Sequence, residues 1–298
     1  MPPSLFAILL LLAVLWGSAF PGIKLGLEGM SPGHLTLLRH LVASACFVPF
    51  LALTGRKLRP ERRDVPFFFL LGLLGYFFYH TALNFGELHV SAGAASLIIA
   101  TAPAFTAVVA YFLLSERLSG LGWLGIGVSL GGVILILLGS GASVGFNAYA
   151  LLILVSAVVT AFHAVLQKPL FKRYRPVEVT AFATGAGTLP MLIFLPGLAA
   201  DVATAGVTPL LATVYIGVVP SAVAYTLYAY ALSQAPVTLV AAFLYMVPVF
   251  SLLFSWLLLG EVPTLLTLVG GGIAISGIAL VNRSRRRNRL PLAEAASD

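Results

Sequence analysis

The sequence predicts an all-α polytopic membrane protein, with ten transmembrane helices arranged as two inverted five-helix repeats. Three observations carry that prediction. The first is composition: of 298 residues, 60% are hydrophobic and 9% charged, with a mean hydropathy of +1.03. A soluble domain is about 45–50% apolar and roughly 25% charged, so this chain lacks the polar surface to face water and takes lipid as its solvent. The second is segmentation, because apolar runs long enough to span a bilayer recur along the whole chain. The third is an internal repeat: "ATAPAFTAVVAYFLLSERLS" at 100–119 returns 145 residues later as "YMVPVFSLLFSWLLLGEVPT" at 245–264.

The spans fall at 4–27, 33–54, 65–84, 91–114, 120–140, 147–168, 177–198, 208–232, 236–259 and 264–282. Only helices or closed barrels satisfy their backbone polar groups in lipid, and runs this uniformly apolar are helices. The connections are short and insert no soluble domain. No Lys or Arg precedes the first run, so it reads as a retained helix rather than a cleaved leader. Basic residues in the connections set the orientation. They gather between helices 2 and 3 (Arg56, Lys57, Arg59, Arg62, Arg63), at Arg117, between helices 6 and 7 (Lys168, Lys172, Arg173, Arg175) and after helix 10 (Arg283, Arg285, Arg286, Arg287, Arg289). Connections 3–4, 5–6, 7–8 and 9–10 carry none. The expected location is the cell (inner) membrane, multi-pass, with both termini cytoplasmic. The net charge of +7 is then a topology signal, and no nucleic-acid partner is expected.

The repeat keeps its register. Pro103 falls on Pro248, Phe105 on Phe250, Leu113 and Leu114 on Leu258 and Leu259, and Glu116 on Glu261. Gly72, Gly125, Gly127 and Gly132 fall on Gly217, Gly270, Gly272 and Gly277. Helices 1–5 thus correspond to helices 6–10, and an odd helix count turns the second copy upside down. The expected division is 4–140, 147–282 and a basic cytoplasmic tail at 283–298. Inverted repeats are typical of secondary transporters, whose substrate site lies near the midplane between the halves. Channels share the plan.

The stretches "VLWGSAFPGIKLGLEGMSPGHLTLLRHLVASA", "ALNFGELHVSAGAASLIIATAPAFTAVVAYFLLSERLS" and "GVSLGGVILI" resemble one copy of the EamA-type domain. That domain builds the ten-helix branch of the drug/metabolite transporter superfamily. The marks of resemblance are Trp16-Gly17, Lys24, Arg39, Pro103 and Glu116, with Pro248 and Gly260-Glu261 in the second copy. Ser115 departs from the Gly common before the Glu, and helix 6 lacks the Trp-Gly pair. The resemblance implies export of amino acids and related metabolites, and one YddG-like branch handles aromatic amino acids.

Site candidates follow from polar and aromatic groups at helical spacing. Helix 3 presents Tyr76, Tyr79, His80 and Asn84. Its repeat mate, helix 8, presents Ser221, Tyr225 and Tyr228, with Tyr76 falling on Ser221 and His80 on Tyr225. Helix 6 adds Thr160, His163 and Gln167, helix 1 adds Trp16 and Phe20, and helix 9 adds Tyr245 opposite the small Ala100. Such walls suit an amphipathic small molecule with an apolar or aromatic side chain; interhelical packing is the alternative reading. Pro103 and Pro248 are candidate hinges or static kinks. Glu116 and Glu261 stand at helix ends, for gating or to favour the N-terminus of the next helix. Lys24 and Arg39 are placed near the external side, to attract a carboxylate or to snorkel.

All ten acidic residues are assigned to connections, tails or helix ends, so His80 and His163 are the candidates for any proton coupling. The five His are scattered in sequence and there is one Cys, so no metal site and no cofactor are expected. Two self-sufficient halves suggest a monomer in lipid. The leading function is secondary amino-acid export by alternating access. A sugar-phosphate or nucleotide-sugar exchanger is the second, and an intramembrane enzyme with a Ser221–His dyad is a remote third.

Overall fold

The computed structural model describes residues 3–56, 59–114, 119–139, 147–235, 240 and 243–294. Among them the chain is helical, with no strand, and the helices group into ten spans in the predicted order. Helix 1 runs in two pieces, Pro3–Gly17 and Ala19–Leu27; helix 2 is Pro32–Leu53 and helix 3 covers Arg62–Glu87. Helix 4 is again in two pieces, Ala92–Ile99 and Ala102–Leu114, and helix 5 is Gly120–Gly139. Helix 6 is Ala148–Leu166, helix 7 Pro176–Met191, helix 8 Val207–Gln234, helix 9 Val247–Leu259 and helix 10 Leu265–Glu294. Residues 236–239 and 241–242 of the predicted ninth span lie outside the described residues.

Irregularities recur at repeat-equivalent positions. Helix 3 widens into a π-turn at Leu73–Phe78 and helix 8 does so at Gly217–Ala224. Helix 4 breaks at Ala100 and Thr101, helix 9 at Tyr245 and Met246. In both, the proline follows the break, Pro103 and Pro248 each standing in the first turn of the piece that restarts. Proline fits there because its missing N–H is one that a first turn leaves unbonded anyway. The prolines therefore start second pieces rather than bend continuous helices.

Two boundaries differ from expectation. Helix 10 continues to Glu294 instead of ending at 282; from Ile278 to Leu290 the chain holds no Gly or Pro that would stop it. Helix 7 stops early at Met191, just past Pro190, and Gly197 at a φ of 87° opens a short extra helix, Leu198–Thr204.

Glycines let the backbones meet. Helices 5 and 10 lie along each other, and a Cβ on Gly270 would come 2.8 Å from the Gly132 carbonyl oxygen. The end bearing the basic connections is tied by Asp64, which accepts from Tyr174 Oη at 2.7 Å and pairs with Arg173 Nη2 at 2.8 Å. At the opposite end Asp201 accepts from His34 Nδ1 and from the Ser31 N–H at 3.1 Å. That ties the 7–8 connection to helix 2. The His34 hydrogen bond first, and the Ser31 N–H second, hold the Asp201 carboxyl below its ordinary 3.8.

Candidate functional site

A cavity of about 100 Å³ lies where helices 1, 2, 3, 4, 6, 8 and 9 converge. Its aromatic wall is Trp16, Phe20, Tyr79, His80, Tyr225 and Tyr228. Trp16 is fixed from two directions. Its Nε1–H donates to the Pro220 carbonyl at 3.2 Å, within the π-turn of helix 8. Its ring lies edge-on to Tyr225 at 5.2 Å and tilted on Tyr228 at 5.0 Å. Gly17 follows because helix 9 crosses there: a Cβ would come 2.5 Å from Phe250 Cβ and 3.0 Å from the Ser251 backbone nitrogen. The Trp-Gly pair thus joins an indole aimed at the cavity to a backbone that admits helix 9.

Arg39 also lines the cavity and is 2% exposed. Its Nε–H donates to Ser221 Oγ at 2.6 Å, while its Nη1 is buried without a hydrogen-bond partner. Burying a guanidinium without a counter-charge is costly, and such groups inside membranes mark substrate paths. Across the cavity, Ile99, Ala100, Leu244 and Val247 flank the two helix breaks. Pro103 and Pro248 bring no N–H to these breaks.

Behind the wall, three histidines gather around Tyr76. His40 and His80 are edge to face at 4.5 Å, and Tyr76 lies 5.5 Å from His163. Each donates Nδ1–H to a carbonyl: His40 to Thr36 at 2.8 Å, His80 to Tyr76 at 3.1 Å, and His163 to Leu71 at 3.2 Å. Those bonds put a hydrogen on each Nδ1, so in the neutral ring Nε2 is the acceptor. Asn84 Nδ2 donates to Thr36 Oγ1 at 2.7 Å. His80, Asn84 and Glu87 thus form one polar stripe along helix 3, facing Thr36, Arg39 and His40 of helix 2.

The structure brings most sequence candidates to this place. Trp16, Phe20, Tyr79, His80, His163, Tyr225 and Tyr228 line the cavity with Arg39, Pro103 and Thr160. Tyr76 lies one layer behind, its ring 5.1 Å from Tyr225, and Ser221 sits under Arg39. Asn84 is buried deeper in the stripe. Tyr245 is not among the lining residues; its ring packs against Ala104, Ala107 and Ile126, and Ala100 faces the cavity instead. Lys24 is half-buried at the end opposite the basic connections. Glu116 lies outside the described residues.

Four expectations need correction. Arg39 does not snorkel to an interface: Ser221 anchors it inside the bundle. Glu261 does not sit on helix 10, the next helix; its Oε2 accepts the Ala92 N–H at 2.9 Å, at the N-terminus of helix 4 in the other half. The helix dipole still explains the contact. The histidines, scattered in sequence, are partly gathered in space: His40, His80 and His163 meet around Tyr76, while His34 and His89 stand apart. Glu87 ends helix 3 as expected but is fully enclosed, at 0% exposure. Sequence reading also passed over His40, which lies well inside helix 2, and the small Ser96 and Thr106 of helix 4.

No dyad forms at Ser221, whose hydroxyl is taken by Arg39 and whose neighbours His80 and His163 bond backbone carbonyls. Among the described residues no group of His, Cys, Asp and Glu is arranged to hold a metal.

The EamA-like transporter family model matches the chain twice, at residues 4–138 and 147–283. A transporter of Bacillus subtilis, YdfC, is 41% identical over 89% of this chain and 86% of its own. A probable terminal-alkyne amino-acid exporter of Streptantibioticus cattleyicolor is 39% identical, covering 94% of both chains. YedA, an inner membrane transporter of Escherichia coli, is 28% identical over 93% of this chain and 90% of its own. One solved crystal structure matches with a TM-score of 0.66 at 19% identity, over 96% of this chain and 99% of that one. That likeness is one of fold.

Proposed function

The chain belongs to the EamA-like transporter family, and from that premise we propose that it is a secondary carrier exporting amino acids with an apolar or aromatic side chain. The Arg39 Nη1 without a partner carries the reading: the guanidinium takes the substrate carboxylate, and the aromatic wall takes its side chain. The backbone carbonyls at the two helix breaks, which meet the cavity at Ile99, Ala100, Leu244 and Val247, are the acceptors this reading assigns to the ammonium group. In other carriers the unwound backbone carbonyls of broken helices coordinate a bound cation. The 39% identical relative printed as an amino-acid exporter supports the same substrate class.

The two halves work by alternating access, with the breaks of helices 4 and 9 as hinges and Pro103 and Pro248 restarting the moving pieces. Both termini are placed in the cytoplasm of a cell whose inner membrane holds the protein as a monomer. A sugar phosphate is the competing substrate, since a guanidinium also binds phosphate. A dianion calls for more than one cation, and among the described lining residues Arg39 is the one Lys or Arg.

Purified protein in proteoliposomes should take up labelled phenylalanine or leucine in counterflow, with competition among apolar amino acids. Flux of a sugar phosphate without flux of any amino acid would overturn the proposal.

A further inference from the structure

At the end of the bundle opposite the basic connections, Glu87 is the last residue of helix 3. It is 0% exposed, and neither carboxylate oxygen has a hydrogen-bond partner. It shares a helical face with His80 and Asn84, seven and three residues before it, so it stands two turns beyond the cavity wall. The charged groups acting on it come from three other elements: Lys24 of helix 1, Arg39 of helix 2 and Glu261 of the 9–10 connection. Helix 4 begins beside it with Ala92–Ile99, which carries no titratable group. Helix 6 meets this turn through Ile153, while its Tyr149 ring turns to His89 at 4.0 Å.

Glu261 covers this region by bonding the Ala92 N–H across the halves. The 9–10 connection that acts on Glu87 is therefore held by a contact between the two repeats. An enclosed carboxylate with no donor on either oxygen is stable as the neutral acid. If the 9–10 connection moves off helix 4, water reaches Glu87 and Lys24 stands by to favour the ion. Between Glu87 and the cavity, Asn84 Oδ1, His40 Nε2 and His80 Nε2 are buried acceptors that also lack partners.

We propose that Glu87 is a proton-binding site that couples substrate movement to proton movement. It holds a proton while this end is closed and releases it to water as carboxylate plus H⁺ when the Glu261–Ala92 contact opens. The flux part of this inference rests on the amino-acid reading above; the protonation part does not.

Two measurements on the full chain test it. Infrared spectroscopy of the folded protein at neutral pH should show a carboxylic-acid C=O band that Glu87→Gln removes and Glu87→Asp keeps. In proteoliposomes with the membrane potential clamped, a gradient of about one pH unit should drive about tenfold accumulation of labelled phenylalanine at one proton per substrate. Glu87→Gln should lose that accumulation while counterflow, which needs no net proton movement, persists. A band unchanged in Glu87→Gln, or a gradient response the variant keeps in full, overturns the proposal. Absence of counterflow for every amino acid in the parent protein sinks the substrate reading instead, and the infrared band then decides the Glu87 proposal by itself.

Discussion

Gly17 and Arg39 show how single residues shape the cavity. A side chain at 17 must displace helix 9, because Phe250 Cβ and the Ser251 backbone occupy the space. Gly17→Val is expected to cost about 1–3 kcal/mol of stability, the usual range for overpacking, and to lower the melting temperature measured in detergent. Arg39 was legible as a charge near a helix end, but its depth was not. Position along a helix does not reveal that a partner such as Ser221, 182 residues away, will hold the head group inside. The same limit hid Glu87, whose enclosure comes from chain segments distant in sequence. Tyr245 failed for another reason: facing arguments assume a continuous helix, and helix 9 breaks at Tyr245 and Met246.

At the scale of elements, hydropathy was sufficient to place the ten spans, and the repeat register correctly paired helix 4 with helix 9. Neither signal exposed the π-turns of helices 3 and 8, since widening by one residue leaves an all-apolar run equally apolar. Ties between connections are open to test. Tyr174→Phe removes one donor to the buried Asp64 and leaves Arg173 in place. A loss of about 1 kcal/mol is expected, read as a drop of a few degrees in melting temperature. At the other end, the Asp201 carboxyl lies below its unfolded value of 3.8 in the folded protein. A depressed carboxylate stabilises above its unfolded value and loses that contribution as pH falls through the folded one. The melting-temperature gap between the parent protein and Asp201→Asn should thus shrink as pH falls below 3.8.

The whole molecule is two copies of one helical pattern sharing a cavity at their junction. The sidedness proposed from the basic connections can be tested with Cys46→Ser as background. A cysteine at Gly206 should react with an impermeant maleimide from outside the cell, and one at Arg59 only after the cells are opened. Substrate choice rests on a narrower base, a single guanidinium facing an aromatic wall. Sequence alone supplied much of that wall: Trp16, His80, His163, Tyr225 and Tyr228 are polar or aromatic at helical spacing and do meet. Arg39 was named from sequence as a charge that attracts a carboxylate, but its place in the cavity wall came only from the fold. The most direct test compares phenylalanine with phenylalaninamide, which lacks the carboxylate, as inhibitors of phenylalanine counterflow. Phenylalanine should compete at least about tenfold better, a difference of about 1.4 kcal/mol, and Arg39→Gln should erase that preference. Equal competition by the amide in the parent protein would contradict the account.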